Sequence, residues 1–215
     1  MGKPFQFSLK ELIVITVLLS ICVGIGVKVY KYVYRPQSRQ LACLNNLKQL
    51  TLICHIYSDA TGNNGLFPND GKSACLSLNL LFDSYMKDYR LFKCASSNAT
   101  ASRDALKTIT PANIGRNLSN KMTDYGYDRR HNPDEWTPIL LSDMGPEAGP
   151  GKNSTNHVIE YGDPSGQNVV DCSGAGRFVE NTILKRDKLA DDDIFQDDTK
   201  YGKLKKSEDS WIRND

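Results

Sequence analysis

The sequence has few histidines and lacks the short motifs that mark common catalytic and nucleotide-binding sites. His55, His131 and His157 are its only histidines, and no C-x-x-C, H-E-x-x-H, Walker or G-x-G-x-x-G pattern occurs. Cys54 and His55 are adjacent in a helical stretch, so they point to different faces and suit one metal ion poorly. We therefore expect a protein that is not an enzyme and assign no catalytic residue. A zinc site drawn from distant Cys and His residues stays as an alternative.

A large excess of charge is also missing. The 27 Lys and Arg residues and the 25 Asp and Glu residues leave a net charge of +2, which does not favour nucleic acid as a partner. No cofactor is expected. Some acidic residues carry oxygen ligands of the kind that calcium takes, but their spacing matches no calcium loop, so no metal ligand is assigned. These residues are Asp163, Asp171 and Asp191, Asp192 and Asp193.

Cysteines are too sparse for a small disulfide-built protein. Of the six, Cys22 lies in an apolar run, and the five others are compatible with one or two bridges outside the cytosol. Cys75 and Cys94 flank a short module and could form a bridge, while Cys43 could reach either of them. At least one cysteine must stay outside any bridge, and Cys54 is expected to pack as a small apolar residue.

The N-terminal region does carry a long apolar run. Leu12–Val27 contains no charged residue, and the apolar residues on both sides extend it to the roughly 20 residues that cross a bilayer. Tyrosines at 30, 32 and 34 suit the membrane interface. The sequence "VKVYKYVYRP" offers no small-residue cleavage site. We predict a transmembrane helix over 7–34 rather than a cleaved signal peptide or a buried core helix.

The positive-inside rule, taken alone, would place the C-terminal domain in the cytoplasm. Two lysines precede the span, and four basic residues follow it: Lys3 and Lys10 before, and Lys28, Lys31, Arg35 and Arg39 after. Glu11 is a charge at the membrane edge. It could pair with Lys10, lie at the level of the lipid headgroups, or meet a cation from another chain.

Residues 35–62 predict an amphipathic helix that continues the span as a rod. The residues of its predicted apolar face are three or four positions apart. Cys43, eleven residues before Cys54, lies on the same face. Gly62 is expected to end the helix. The members of that face are Leu41, Leu44, Leu47, Leu50, Cys54 and Tyr57.

The remaining sequence predicts a small antiparallel sheet, which makes the fold class α+β. Residues 63–184 form the predicted globular domain. They contain a short helix followed by an extended piece ending at Cys94, a buried strand in 137–143, a short strand in 156–163, and a hairpin across Ser173–Gly176. Residues 185–215 are highly charged and are expected to be loosely packed or disordered.

Three segments resemble one known family. The stretch "FSLKELIVITVLLS" resembles the prepilin-type N-terminal motif of type IV pilins and type II secretion pseudopilins. Phe7 matches the aromatic first residue of the mature family protein, and Glu11 matches the glutamate four residues later. "CLNNLKQLTLICHIYSDATGNNGLFP" and the segment Asn156–Glu180 resemble a pseudopilin-like group found in planctomycetes. Gln6 stands where the family's peptidase cuts after glycine, and Lys10 replaces an aliphatic residue.

The resemblance implies a pilin-like fold and a non-enzymatic subunit of a type II secretion or type IV pilus-like system. It implies a cytoplasmic leader at 1–6, a single span of the inner membrane and a C-terminal domain outside the cytoplasm. Expected partners are lipid, other pilin-like subunits, a prepilin peptidase and a secretion platform. Glu11 would pair with the α-amino group of Phe7 on a neighbouring subunit, or with its Lys10 if the leader stays on. The alternative is an anchored extracytoplasmic binding protein that does not polymerise.

Overall fold

The computed structural model describes most of the N-terminal half of the chain and separate segments of the rest. The described residues are 8–30, 34–61, 65–82, 84–96, 123–144, 148–150, 152, 154, 166–180, 182–184, 192–196 and 212–213. The chain divides into two compact units, Met1–Ser38 and Arg39–Asp215.

Helix α1, Leu9–Val29, carries the apolar run. It begins at the N-cap Ser8, and its basic residue in the last turn, Lys28, suits the negative end of the helix dipole. None of its residues is buried, and by length and composition it could cross a membrane. The predicted span of 7–34 is longer than this helix, and residues 31–33, where the rod would continue, lie outside the described residues.

Helix α2, Arg35–Thr61, lies largely in the second unit. Its fully buried apolar residues are Cys43, Leu47, Leu50 and Cys54, spaced four, three and four apart. Leu41 was wrongly placed on this face, because 60% of it is exposed. At 3.6 residues per turn, the step of nine residues from Leu41 to Leu50 makes about two and a half turns, which puts the two side chains on opposite sides.

Four antiparallel strands form the main sheet in the order β1-β2-β3-β4. They are β1 Tyr125–Tyr127, β2 Ile139–Asp143, β3 Gln167–Asp171 and β4 Gly176–Val179. The predicted strand in 137–143 and the predicted hairpin are confirmed as β2 and as β3–β4, and the predicted class α+β is confirmed. The predicted strand in 156–163 lies outside the described residues.

In the segment before the sheet, the predicted short helix is confirmed and the predicted extended piece is wrong. Helix α3, Ala74–Asn79, begins at Ser73, whose side chain accepts from the Leu76 N–H. The piece expected to be extended before Cys94 instead forms a 3-10 turn, Tyr89–Phe92. Asp88 causes this turn, because its carboxylate accepts from the Arg90 backbone N–H at 3.0 Å and also binds the Arg90 guanidinium.

The described residues of the predicted loose tail are packed, which corrects the expectation for this part of 185–215. Strand β5, Ile183–Leu184, pairs with β6, Asp192–Asp193. Ile194 and Ile212 are fully buried and pack with apolar side chains of β2 and β3. The Ile212 N–H donates to the Ile194 carbonyl at 2.7 Å. The high charge of the tail concealed these few apolar residues.

Helix α2 packs on the sheet through one apolar core. The buried residues of α2 belong to the same cluster as Tyr125, Tyr127 and Val170. Gly176 allows the close approach, because a Cβ there would lie 2.6 Å from Cε of Lys48 and 2.9 Å from Cδ1 of Leu44. The Asn168 side chain adds a hydrogen bond of 3.0 Å to the Gln40 carbonyl. The helix is therefore fixed to β3 and β4 by shape as well as by polar contacts.

Candidate functional site

The N-terminal end of α1 holds the carboxylate that the sequence singled out. The Ser8 backbone N–H donates to Oε2 of Glu11 at 2.7 Å, and the Glu11 N–H donates to Oγ of Ser8 at 3.4 Å. This reciprocal arrangement is a capping box. It supplies acceptors for backbone N–H groups at the start of the helix that have no partner within the helix. It gives Glu11 a contact that the sequence analysis did not weigh. Gln6 and Phe7, the predicted processing site, lie outside the described residues.

The surface of α1 is apolar on all sides. Every residue of the helix is exposed within the chain, including the large side chains at 12–15, 17–19 and 21. Its hydroxyl groups bond back to the helix: Thr16 donates to the Leu12 carbonyl at 2.6 Å, and Ser20 donates to the Thr16 carbonyl at 2.8 Å. Polar groups bonded in this way can enter lipid without losing hydrogen bonds.

Cys43 and Cys94 form a disulfide that joins α2 to the end of the 3-10 turn. Their Cα atoms are 5.0 Å apart. Among the alternatives that the sequence left open, this is the pair that forms, and Cys75 lies outside it as a buried thiol. Cys54 packs in the core as expected, and burial raises the pKa of its thiol well above the ordinary range. Such a thiol is not reactive.

Carboxylates surround this disulfide. Oδ2 of Asp124 accepts from the Cys94 N–H at 3.0 Å, and Asp143 is fully buried beside both sulfurs. Burial, together with the negative charges of Asp143 and Asp124, raises the pKa of the Tyr125 hydroxyl, which donates to the Lys93 carbonyl. The core around the bridge is therefore acidic as well as apolar.

A second cluster, which the sequence analysis missed, centres on His131 in the loop between β1 and β2. Nε2 of His131 lies 3.1 Å from Oδ2 of Asp128, and Nδ1 lies 2.5 Å from Oε2 of Glu135. Arg130 binds the same Asp128 carboxylate through two nitrogens, at 2.8 and 2.9 Å. His131 and Asp128 are buried, so these charges are shielded from water. The signal in the sequence is the spacing of three and four residues around His131.

The ionisation of this cluster follows from its contacts. Burial alone would lower the pKa of His131, but the hydrogen bonds and charges of Asp128 and Glu135 outweigh it, so the pKa is raised above 6.5. Burial alone would raise the pKa of Asp128, yet His131 and Arg130 hold it below its usual value. A neutral imidazole has one N–H and cannot donate to two carboxylates. The imidazolium can, and it links the two carboxylates as an ionic bridge.

One wall of a cleft of about 410 Å³ is built from this cluster. Phe67, in the loop before α3, and Ala74, the first residue of α3, also line the cleft and supply apolar surface. Oδ1 of Asp70, in the loop before α3, lies 3.9 Å from Nη1 of Arg129, in the loop between β1 and β2. The cleft thus combines apolar surface with Arg129, Arg130 and Arg213, and the Arg130 guanidinium is bound to Asp128, which also lines the cleft.

Of the acidic residues considered for calcium, Asp171 has its carboxylate engaged in a turn, and Asp192 and Asp193 lie in a strand. Oδ1 of Asp171 accepts from the Ser173 N–H, the Ser173 hydroxyl and the Ala175 N–H, so it closes the turn of the β3–β4 hairpin. Asp192 and Asp193 form β6. Asp163 and Asp191 lie outside the described residues, as does His157.

His55, the other described histidine, bonds through Nε2 to the Cys172 carbonyl at 2.9 Å. Its ring meets the edge of Phe67 at 5.1 Å between centroids. This histidine links α2 to the turn after β3.

Comparison of the chain with protein-family models, with curated proteins and with solved structures finds no match.

Proposed function

We propose that this chain is a pilin-like subunit that is anchored in a membrane by α1 and assembles with copies of itself, or with related subunits, through that helix. The observation that supports this most is the surface of α1, which is apolar on every side and buries no residue within the chain. So much apolar surface requires lipid or other helices to cover it. A carboxylate in its first turn adds a reason for a specific partner.

The charge of Glu11 supports assembly in addition to anchoring. The capping box satisfies one carboxylate oxygen but leaves the negative charge, which is costly once surrounded by lipid or packed helices. A cation from a neighbouring subunit would offset that cost. The cation is the α-amino group of Phe7 if the leader is removed, and the Lys10 ammonium of the neighbour if it stays. Either pairing would fix the axial position of one helix against the next.

The disulfide supports a domain outside the cytoplasm. Bridges such as Cys43–Cys94 persist in oxidising compartments and are rare in the cytosol. With one span at α1, an outer domain requires a cytoplasmic N-terminus. This orientation opposes the simple count of basic residues, and it agrees with the orientation that the family resemblance implies.

One variant and one sequencing experiment test the proposal. Glu11→Gln removes the charge but keeps a side chain that completes a capping box, because Gln serves at this position as well as Glu. We expect the variant to remain in the membrane fraction and to lose assembly. Sequencing the N-terminus of the membrane-bound protein then identifies the cation, since Phe7 as first residue supplies the amine and an intact start excludes it.

The cleft favours a second candidate, an anchored extracytoplasmic binding protein that does not polymerise. Its mixture of apolar surface with charged side chains of both signs would suit a ligand with a polar group and an apolar body. In this case Glu11→Gln would leave every property of the membrane-bound protein unchanged, while Arg129→Gln would weaken ligand binding. The response to Glu11→Gln therefore separates the two candidates.

A further inference from the structure

Two sulfurs and a carboxylate meet in the core where α2, the 3-10 turn and β2 come together. Sγ of Cys43, Sγ of Cys94 and a carboxylate oxygen of Asp143 all lie within 4.8 Å of one another. Each of the three residues is at most 1% exposed. A disulfide is neutral and needs no carboxylate beside it. Two sulfurs and a carboxylate oxygen this close together are a donor set that a thiolate-binding metal ion takes when the cysteines are reduced.

Backbone amides hold the three groups in position. The Ala95 N–H donates to Sγ of Cys43 at 3.0 Å, and the Asn168 N–H donates to Oδ2 of Asp143 at 3.0 Å. Oδ2 of Asp124 accepts from the N–H of Cys94, which fixes the backbone of the second cysteine. Contacts of this kind orient the ligands of a metal ion and stabilise their negative charge.

We propose that the dithiol form of Cys43 and Cys94 binds one Zn²⁺ ion together with Asp143. Thiolate and carboxylate oxygen are both zinc ligands, and two thiolates disfavour Mg²⁺ and Ca²⁺. Zn²⁺ displaces the two thiol protons and no electron is transferred. With bonds of about 2.0–2.3 Å, the ligand atoms of a tetrahedral zinc ion lie roughly 3.3–3.8 Å apart. All three ligand atoms lie within 4.8 Å of one another, and in the dithiol form, where no S–S bond holds the sulfurs together, side-chain rotation can bring them to this separation.

Zinc and the disulfide are then two alternative links between the same elements. Both join α2 to the end of the 3-10 turn, so the core keeps one arrangement in reducing and in oxidising surroundings. A chain made in a reducing cytosol would be held by zinc until its cysteines are oxidised. Binding depends on these three residues and not on whether α1 assembles.

Cobalt binding to the reduced full-length chain in detergent tests the site. Co²⁺ is the probe because thiolate ligation gives it charge-transfer absorption. We expect one equivalent to bind, to be displaced by Zn²⁺, and to be absent from the oxidised protein. The Cys43→Ser/Cys94→Ser variant should lose the absorption, and Asp143→Asn should weaken binding about tenfold or more. Cys54→Ser/Cys75→Ser/Cys172→Ser controls for the other buried thiols of the described residues and should bind as the unaltered chain does.

A second readout covers the case in which reduction or substitution loosens the fold. Zn²⁺ should raise the thermal unfolding midpoint of the reduced chain and leave that of Cys43→Ser/Cys94→Ser unchanged. Equal midpoints with and without Zn²⁺ in the reduced chain would overturn the proposal. Thiolate–cobalt absorption that survives in Cys43→Ser/Cys94→Ser, or binding unaffected by Asp143→Asn, would also overturn it.

Discussion

The backbone N–H of Ser8 donates to the carboxylate of Glu11 across 2.7 Å, and the Ser8 hydroxyl accepts from the Glu11 N–H in return. This pair gives a local reason for a carboxylate at the start of an apolar helix, since it completes the first turn. The negative charge remains after the cap has formed. Capping is therefore separate from the pairing with a neighbouring subunit that we propose for the same side chain.

Two variants distinguish these roles. Ser8→Ala removes the cap hydroxyl and should cost the N-terminal turn of α1 about 1 kcal/mol while keeping the charge of Glu11. Glu11→Gln should keep the cap and remove the charge. If charge pairing drives assembly, oligomers extracted from membranes persist in Ser8→Ala and disappear in Glu11→Gln, as measured by sedimentation. Loss of oligomers in both variants would instead point to the cap as the important feature.

The disulfide should contribute strongly to the stability of the second unit. Its cysteines are 51 residues apart in sequence, and closing a loop of that length in the unfolded chain is worth about 4 kcal/mol in the chain-entropy account. We expect Cys43→Ser/Cys94→Ser to lower the free energy of unfolding in denaturant by about this amount when no metal is added. Cys22→Ser changes an exposed residue of α1 and serves as the control, with no change expected.

Stability should also depend on pH through His131. Its pKa is raised by folding, so the stability from its charged form is complete below about pH 6.5 and is lost as the pH rises through the raised value. His131→Gln leaves buried Asp128 with one donor fewer and should cost about 1–3 kcal/mol in mildly acidic buffer. The same variant should flatten the alkaline side of the stability profile.

His55→Gln is the matched control for that profile. His55 is a half-buried histidine that bonds to a backbone carbonyl rather than to two carboxylates. We expect its substitution to keep the loss of stability with rising pH. A loss that persists unchanged in His131→Gln would contradict the role given to the imidazolium.

The fit of α2 against β4 should be sensitive to the size of residue 176. A Cβ on Gly176 would meet Lys48 and Leu44 at less than 3.0 Å, so Gly176→Val forces the helix or the strand to move. Overpacking of this kind costs about 1–3 kcal/mol. Gly174→Ala in the same hairpin is a poor control because of its φ of +85°. Ala175→Val, at an exposed position next to it, is the better one and should have little effect on the unfolding midpoint.

The sequence predicted elements whose cause is local. Strand β2 and the β3–β4 hairpin were visible because apolar runs there are bounded by turn residues, and Asp171 and Gly174 supply the turn chemistry. The buried face of α2 was partly misjudged, because even spacing of leucines does not follow the helical period, as Leu41 shows. A list of apolar residues is a weaker guide than their angular positions.

Features that depend on distant segments could not be predicted. Ile194 and Ile212 are buried because β2 and β3 provide a surface for them, and a charged tail gives no sign of that surface. The choice of Cys94 rather than Cys75 as the partner of Cys43 depends on where the 3-10 turn carries the chain. The short spacing of Asp128 and Glu135 around His131 is visible in the sequence. The ionic bridge among them could be inferred only once the structure showed that the loop is buried.

Cross-linking along α1 in native membranes tests whether α1 helices of neighbouring subunits pack against one another, as we propose. Single cysteines at Leu18, Leu19, Ser20 and Ile21 cover the whole circumference of the helix in a Cys22→Ser background. We expect a ladder of covalent oligomers from positions on one or two sides of the helix, and we expect Glu11→Gln to abolish it. Monomers alone, or dimers formed equally from all four positions and unaffected by Glu11→Gln, would contradict it.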